Sequence, residues 1–272
     1  MSIFVNRILN MKRIKAIGFD MDYTLVRYKT ENFEKLTFKS VLDKLVTYKN
    51  YPSEIRDLVF DYNHVIQGLV VDRKRGNILK VSRYGKVKFA THGTTPVDYK
   101  ERQNIYSNRV IDLADENIQS LDTSFSISNG ALYGQLVDLK DKGFNLPSYE
   151  SISYDIKQAL DIVHGDGTLK NRVRNNIQDY IIQDEGIPHL LERLKRYGKQ
   201  VHIITNSEFS YCKALMEYTI DPFLKEHESW RDLFDVVITM SSKPRFFMTP
   251  TKFLSVNPET GLMSNHEGVI TR

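Results

Sequence analysis

Lys15-Ala-Ile-Gly-Phe-Asp20-Met-Asp22-Tyr-Thr-Leu25 is the stretch on which the reading of the chain turns. A continuous apolar run that stops abruptly at two aspartates reads as a strand of a parallel sheet, with polar groups beginning at its carboxyl end. Ligands of open α/β sheets bind beyond that edge, so Asp20 and Asp22 would stand where a ligand sits. Alternation along extended backbone turns both to the same side and sends Met21 elsewhere. Two carboxylates so placed suit a hard divalent cation, or a division of work between nucleophile and acid/base. Asp-x-Asp alone recurs by chance, and a strand-end turn with solvated aspartates is the plain alternative. The apolar run before it and Thr24-Leu25 after it favour chemistry.

Two later runs have the same character: Val201-His-Ile-Ile-Thr205 and Asp235-Val-Val-Ile-Thr239. All three are expected as buried parallel strands. A helix is predicted before the second, with Pro188 in its first turn, a stripe of Leu190, Leu191 and Leu194, and Gly198 at its C-terminal cap. Another follows Ser207 through Phe209, Leu215 and Met216. This strand–helix alternation predicts an open α/β sheet. About 180 residues separate the first two strands, too many for one crossover. Within them Leu69-Val-Val-Asp72, Ile78-Leu-Lys-Val81 and Val87-Lys-Phe-Ala90 read as short strands turned at Arg75-Gly-Asn and Tyr84-Gly-Lys. Helical patterns follow from Tyr99 to Thr123 and from Ser151 to Val163. The expected organisation is a core over 1–60, an inserted α+β cap over 61–168, and a second core segment over 169–272, with Gly165-Asp-Gly-Thr as the hinge.

Composition narrows the class. Of 272 residues 41% are hydrophobic and 26% charged, ordinary for a soluble globular protein. No apolar run reaches the roughly 18 residues that cross a bilayer, which excludes a membrane partner in this reading. One cysteine, Cys212, permits no internal disulfide and fits the cytoplasm. A net charge of +4 is too small to argue for nucleic acid.

Thr205-Asn206-Ser207 closes the second strand and opens a helix. A hydroxyl beside the free N–H groups of a helix start suits a phosphoryl oxygen, although a plain Ser207 N-cap would explain it too. Lys243, just past the third strand in Ser241-Ser-Lys-Pro-Arg-Phe-Phe247, would neutralise Asp20 and stabilise charge on a transferring phosphoryl group. Lys157, Asp161 and His164 are spaced by four and three, so they share the helix face opposite Ile156, Ala159, Leu160 and Val163. That face offers a cation, an acceptor and a stackable ring.

The order Asp20-Met-Asp22, Thr205-Asn-Ser207, Lys243-Pro resembles the haloacid-dehalogenase-like phosphatases. With Gly68-Leu-Val-Val-Asp72, Gly76-Asn77 and His92-Gly93, the chain from Arg13 to Phe247 is similar to the cytosolic purine 5′-nucleotidases acting on IMP and GMP. The resemblance implies a Rossmann-like parallel core with an α+β cap and an aspartyl-phosphate mechanism. It makes Asp20 the nucleophile, Asp22 the acid/base, and Thr205 and Lys243 their catalytic companions. Asn206, Ser207, Lys157, Asp161, His164 and Lys170 would bind a purine nucleoside monophosphate. Mg2+ would be held by Asp20 and the Asp22 carbonyl. Phosphotransferase activity and homo-oligomerisation are further implications. Another small-phosphate phosphatase and a catalytically impaired nucleotide-binding fragment are the competing readings.

The same resemblance calls for a fourth motif, a strand followed by Gly-Asp and another acid. Only 29 residues follow Lys243, and their acids are Glu259 and Glu267. The sequence reading therefore expects a truncated core with an uncovered sheet edge and a weak metal site.

Overall fold

The computed structural model describes residues 10–62, 65–123 and 126–266. Backbone packing divides the chain into two compact units, one formed by 1–29 with 173–272 and the other by 30–172.

The first unit begins with β1 (Ala16–Phe19) and β2 (Arg27–Tyr28). β2 is short and pairs antiparallel with β8 (Ile181–Ile182), which follows the single-turn α6 (Ile177–Tyr180). Next come α7 (Gly186–Arg196), β9 (Gln200–Ile204), α8 (Phe209–Thr219), α9 (Trp230–Leu233) and β10 (Val236–Ile238). The sheet runs β1-β9-β10 and is wholly parallel, with Phe19 opposite Ile203 and Val237 opposite Ile203 on the other side. All three strands therefore deliver their carboxyl ends to one edge. Burial departs from the sequence expectation. Val201 and Ile203 of β9 are fully buried, whereas β1 and β10 carry exposed or half-buried residues. Among the described residues the outer two strands pair on one side only, which leaves β9 alone sandwiched.

Helix α7 carries Leu191 fully buried while Leu190 is exposed, so the predicted stripe is narrower than its three leucines. Gly198 follows the helix at φ +70°, the left-handed step that ends a helix cheaply only for glycine. Val256-Asn-Pro-Glu-Thr-Gly261 is a hairpin turn joining β11 (Leu254–Val256) to β12 (Met263–Asn265). Asn257 organises it, its Oδ1 accepting from the amides of Glu259 and Thr260.

The second unit opens with α1 (Thr30–Lys49). It contains a five-stranded antiparallel sheet ordered β6-β5-β4-β3-β7, from Thr95–Pro96, Val87–His92, Asn77–Val81, Leu69–Asp72 and Ile118–Leu121. The three strands and two turns read from sequence are present, with Gly76 at φ +70° and Gly85 at +73°. The continuous helix expected from Tyr99 to Thr123 is not: α2 ends at Tyr106, and β7 pairs antiparallel with β3, Leu121 opposite Leu69. Between them Asp112 and Asp115 turn the chain by accepting from amides two residues on.

One face of this sheet, Val70, Leu79 and Ala90, packs with Tyr106 of α2. The other meets α3 (Ile127–Asp141), which the sequence reading missed. Most of α3 from Ile127 to Val137 is buried. Gly134 allows it to approach the sheet edge, because a methyl there would meet the Gly93 carbonyl at 3.2 Å. Gly93 itself has φ +55° and faces Asp138, whose Oδ1 would lie 1.9 Å from any added Cβ. No side chain fits there.

α4 (Tyr149–Gly165) is close to the predicted span, and Ile156, Ala159 and Val163 are its buried stripe. It packs on α1 through Lys49–Asp155 at 2.9 Å and Tyr51 Oη to Asp155 at 3.0 Å. Those contacts put α1 with this unit, so the structural division falls at 29/30 where the sequence reading drew it at 60. α5 (Thr168–Asn175) begins just before the second division point. The Gly165-Asp-Gly-Thr segment is pinned. Asp166 accepts from the Thr168 amide at 2.9 Å and pairs with Lys44 of α1 at 2.6 Å. Burial opposes these bonds, but they prevail and bring its carboxyl down to about 2.

Candidate active site

The shared carboxyl edge of β1, β9 and β10 assembles Asp20, Asp22, Thr205, Asn206, Ser207 and Lys243 within the first unit. Asp20 follows β1 directly. Its Oδ1 accepts the Met21 amide at 2.7 Å and lies 2.8 Å from Lys243 Nζ. The lysine head also donates to the Ile204 carbonyl at the end of β9, at 2.7 Å. It is thus fixed between a backbone acceptor and the carboxylate rather than waving in solvent. Among the described residues both donors fall on Oδ1 of Asp20, whose side chain is half-exposed.

The main chain after Asp20 turns tightly. The Met21 carbonyl accepts from Leu25 at 2.9 Å and Val26 at 3.0 Å, and Tyr23 sits at φ +57°. Met21 is fully buried, as alternation predicted. Asp22 is gripped on both oxygens: Tyr28 Oη donates to Oδ1 at 2.6 Å and Ser207 Oγ to Oδ2 at 2.9 Å. Ser207 therefore serves Asp22 rather than capping α8, whose N-cap is Glu208. Tyr28 Oη lies 3.0 Å from Tyr211 Oη. Burial first, then the Asp22 charge, hold the Tyr28 phenol well above its ordinary range, so it remains an O–H donor. The same two causes push the Cys212 thiol up to about 12, which makes it inert packing.

Thr205 is fully buried, and its hydroxyl accepts the Ser207 amide at 3.1 Å. Asn206 is bonded to the loop that carries the lysine. Its Oδ1 accepts the Lys243 amide at 2.6 Å and Ser241 Oγ at 2.9 Å, while Nδ2 donates to the Lys243 carbonyl at 3.2 Å. One amide side chain thus clamps the loop that delivers the lysine. The loop needs the clamp: Met240 and Ser242 hold φ of +50° and +60°, uncommon for residues with side chains. Tyr28, Tyr211 and Ser241 were missed by sequence reasoning. Single tyrosines and serines carry no spacing signal, and only the fold brings them to Asp22 and Asn206.

The remaining candidates belong to the second unit. On α4, Lys157 and Asp161 are exposed and His164 is half-buried. Burial first, then the Lys170 charge, hold the His164 imidazole below its ordinary range, against the pull of Asp161. His164 is therefore close enough to Asp161 and Lys170 to feel both charges.

Among the described residues no three His, Cys, Asp or Glu side chains gather as a metal site. Glu259 is engaged by Arg231 at 3.0 Å, and Glu267 lies outside the described residues. Magnesium commonly takes one or two carboxylates and completes its shell with phosphate and water. The Asp20 carboxylate with the neighbouring main-chain oxygens fits that ion at the sparse end. Among the described residues no helix is long and apolar enough to cross a membrane.

Comparison with known proteins shows the family. The chain is similar to a 5′-nucleotidase domain-containing protein of Dictyostelium discoideum, with 26% identity over 264 residues covering 95% of this chain and 44% of that protein. It is likewise similar to 5′-nucleotidase domain-containing protein 2 of Rattus norvegicus, with 27% identity over 292 residues covering 100% of this chain and 49% of that protein. The chain spans about half the length of these curated relatives. A model of the 5′ nucleotidase family matches residues 3–272, the whole parallel sheet and its carboxyl-edge residues included. With an aspartate, a threonine and a lysine on three successive strand ends, and a family match across nearly every residue, the chain belongs to the 5′ nucleotidase family.

Proposed function

We propose that the chain hydrolyses nucleoside 5′-monophosphates, on a core of the haloacid-dehalogenase type, through a covalent phosphate on Asp20. The observation that carries this is the 2.8 Å pair of Asp20 and Lys243 beside Asp22 and Thr205 at one sheet edge. Asp20 Oδ2 attacks phosphorus, and the bond to the 5′ oxygen breaks with its electron pair staying on that oxygen. Asp22 supplies the proton that oxygen takes. Water then attacks the aspartyl-phosphate, Asp22 recovers a proton from it, and phosphate leaves. Splitting the displacement this way exchanges one difficult step for two easier ones. Lys243 offsets charge on the transferring group, and Thr205 with the amides opening α8 cradles its oxygens. A magnesium ion held by Asp20 and the Asp22 carbonyl would add positive charge at the same oxygens.

The proposed substrates are the 6-oxopurine nucleotides IMP and GMP, recognised through Asp161 and His164 with Lys157 and Lys170. A purine bearing an N1–H donor pairs with a carboxylate, which AMP does not offer. The test of the covalent step is Asp20→Asn, an isosteric change that removes the nucleophile. Turnover of IMP should disappear with melting temperature unchanged; comparable activity in the variant would refute the mechanism.

A further inference from the structure

Asp22 is held by more machinery than a turn residue needs. Its two oxygens are bonded from two separate elements, Tyr28 at the end of β2 and Ser207 at the entrance to α8. Tyr211, in the first turn of α8, meets the Tyr28 hydroxyl at 3.0 Å. The Tyr23 ring stacks on Tyr28 with centroids 4.7 Å apart, fixing the direction of the phenol. Tyr28, Ser207 and Tyr211 are 6%, 7% and 3% exposed. A carboxylate turns freely about its terminal torsion unless both oxygens are engaged.

We propose that Tyr28, braced by Tyr211, acts with Ser207 to hold the Asp22 carboxyl in the plane from which it passes its proton to the leaving oxygen. This rests on the nucleotidase reading above and names its positioning residues. Proton transfer needs heavy atoms at about 2.6–3.2 Å, and an error of about 1 Å in placement costs on the order of a hundredfold in rate. Tyr28 and Tyr211 need touch neither substrate nor phosphoryl group to matter. They set where Asp22 is when the 5′ oxygen departs with its electron pair. A purely structural role would instead be satisfied by the rings alone, which phenylalanine supplies.

The discriminating experiment compares leaving groups in the 272-residue chain. A nucleoside 5′ oxygen needs the proton as it leaves, whereas p-nitrophenolate departs without one. First-turnover release of inosine from IMP and of p-nitrophenolate from p-nitrophenyl phosphate is measured for the parent chain, Tyr28→Phe and Tyr211→Phe. Tyr28→Phe should slow inosine release by at least about tenfold, with p-nitrophenolate release and KM for IMP within about threefold. Tyr211→Phe should show the same pattern more weakly. Equal losses on both substrates, or none on either, would overturn the proposal. Retained first-turnover release in Asp20→Asn would instead reject the covalent reading itself. Should the parent chain turn over neither substrate, a crystal structure of Tyr28→Phe decides. An Asp22 carboxylate rotated off Ser207 supports the assignment, and one unmoved within about 0.5 Å overturns it.

Discussion

Glu34 lies on α1, fully buried, and its Oε2 accepts the Ser128 amide at 2.7 Å in the first turn of α3. α3 has no capping bond from its own Ser126, so a carboxylate from another helix does that work. Burial outweighs the Ser128 hydrogen bond and holds the carboxyl up at about 7, against an ordinary 4.5. At 1.36 kcal/mol for each tenfold change in proton affinity, ionising Glu34 is about 3 kcal/mol harder in the folded chain than in the unfolded one. The sign follows from proton counting. Between about 4.5 and 7 the folded state keeps a proton that the unfolded state has released, so stability falls as pH rises through that window. Below it the penalty vanishes, and above it the penalty is full. Glu34→Gln retains an acceptor for the Ser128 amide and carries no titrating proton. We expect the variant to gain about 2–3 kcal/mol relative to the parent between pH 5 and pH 8. Every other titrating group contributes to both proteins, so their difference isolates Glu34. Trp230, the one tryptophan, belongs to the other unit, so amide hydrogen exchange along α3 is the suitable assay. A difference that stays flat with pH would refute the account of Glu34 as a neutral buried acid near pH 6.

Three further outcomes are expected. Asn206→Ala should lower kcat by roughly ten- to a hundredfold, since three bonds at 2.6–3.2 Å release the Lys243 loop. Adding it to Lys243→Met should cost nothing more, and additive losses in that double variant would deny the clamp. Asp161→Ala should cut kcat/KM for IMP relative to AMP by at least about tenfold, because a polar pocket penalises the analogue lacking its hydrogen bond; indifference of that ratio would dismiss base recognition by Asp161. Asp166→Asn should destabilise the second unit by about 1 kcal/mol at pH 7, a figure kept small because the pair with Lys44 is partly solvated. The Asp166 carboxyl is depressed to about 2, so its contribution is present above the unfolded value near 4 and fades as pH falls from there. Urea titrations of both proteins at pH 7 and pH 3 check this, and an equal difference at both would contradict it.

The parallel sheet was legible because Ile17–Phe19, Val201–Ile204 and Val236–Ile238 are short, mostly apolar runs ending in polar residues. Their burial was not, because an apolar run looks alike in a central strand and an edge strand. Helix α4 was legible through its amphipathic stripe. α3 escaped for the opposite reason: apolar and small residues lie all round it, so no face stands out, and its Gly130 and Gly134 let neighbours close in. Ile118–Leu121 was drawn into a helix because its partner, Leu69–Asp72, lies about fifty residues away. The site divides similarly. Asp20, Asp22, Thr205 and Lys243 end strands in a recognisable order. The contacts of Tyr28, Tyr211 and Asn206 depend on distances that no local pattern encodes.

The outer strands of the parallel sheet come from opposite ends of the chain, and that arrangement has a consequence for synthesis. Residues 30–172 form one contiguous compact unit and emerge from the ribosome while β1 has as yet no strand to pair with. Asp20 waits for about 220 more residues before Lys243 exists, which at roughly 10 residues per second is some twenty seconds. For most of that interval the nascent chain carries an acidic strand end with neither its lysine nor β9 yet made. Under the proposed mechanism, chemistry at Asp20 would wait until translation has passed Lys243. A stalled or prematurely ended chain would present a folded second unit and no working carboxyl edge.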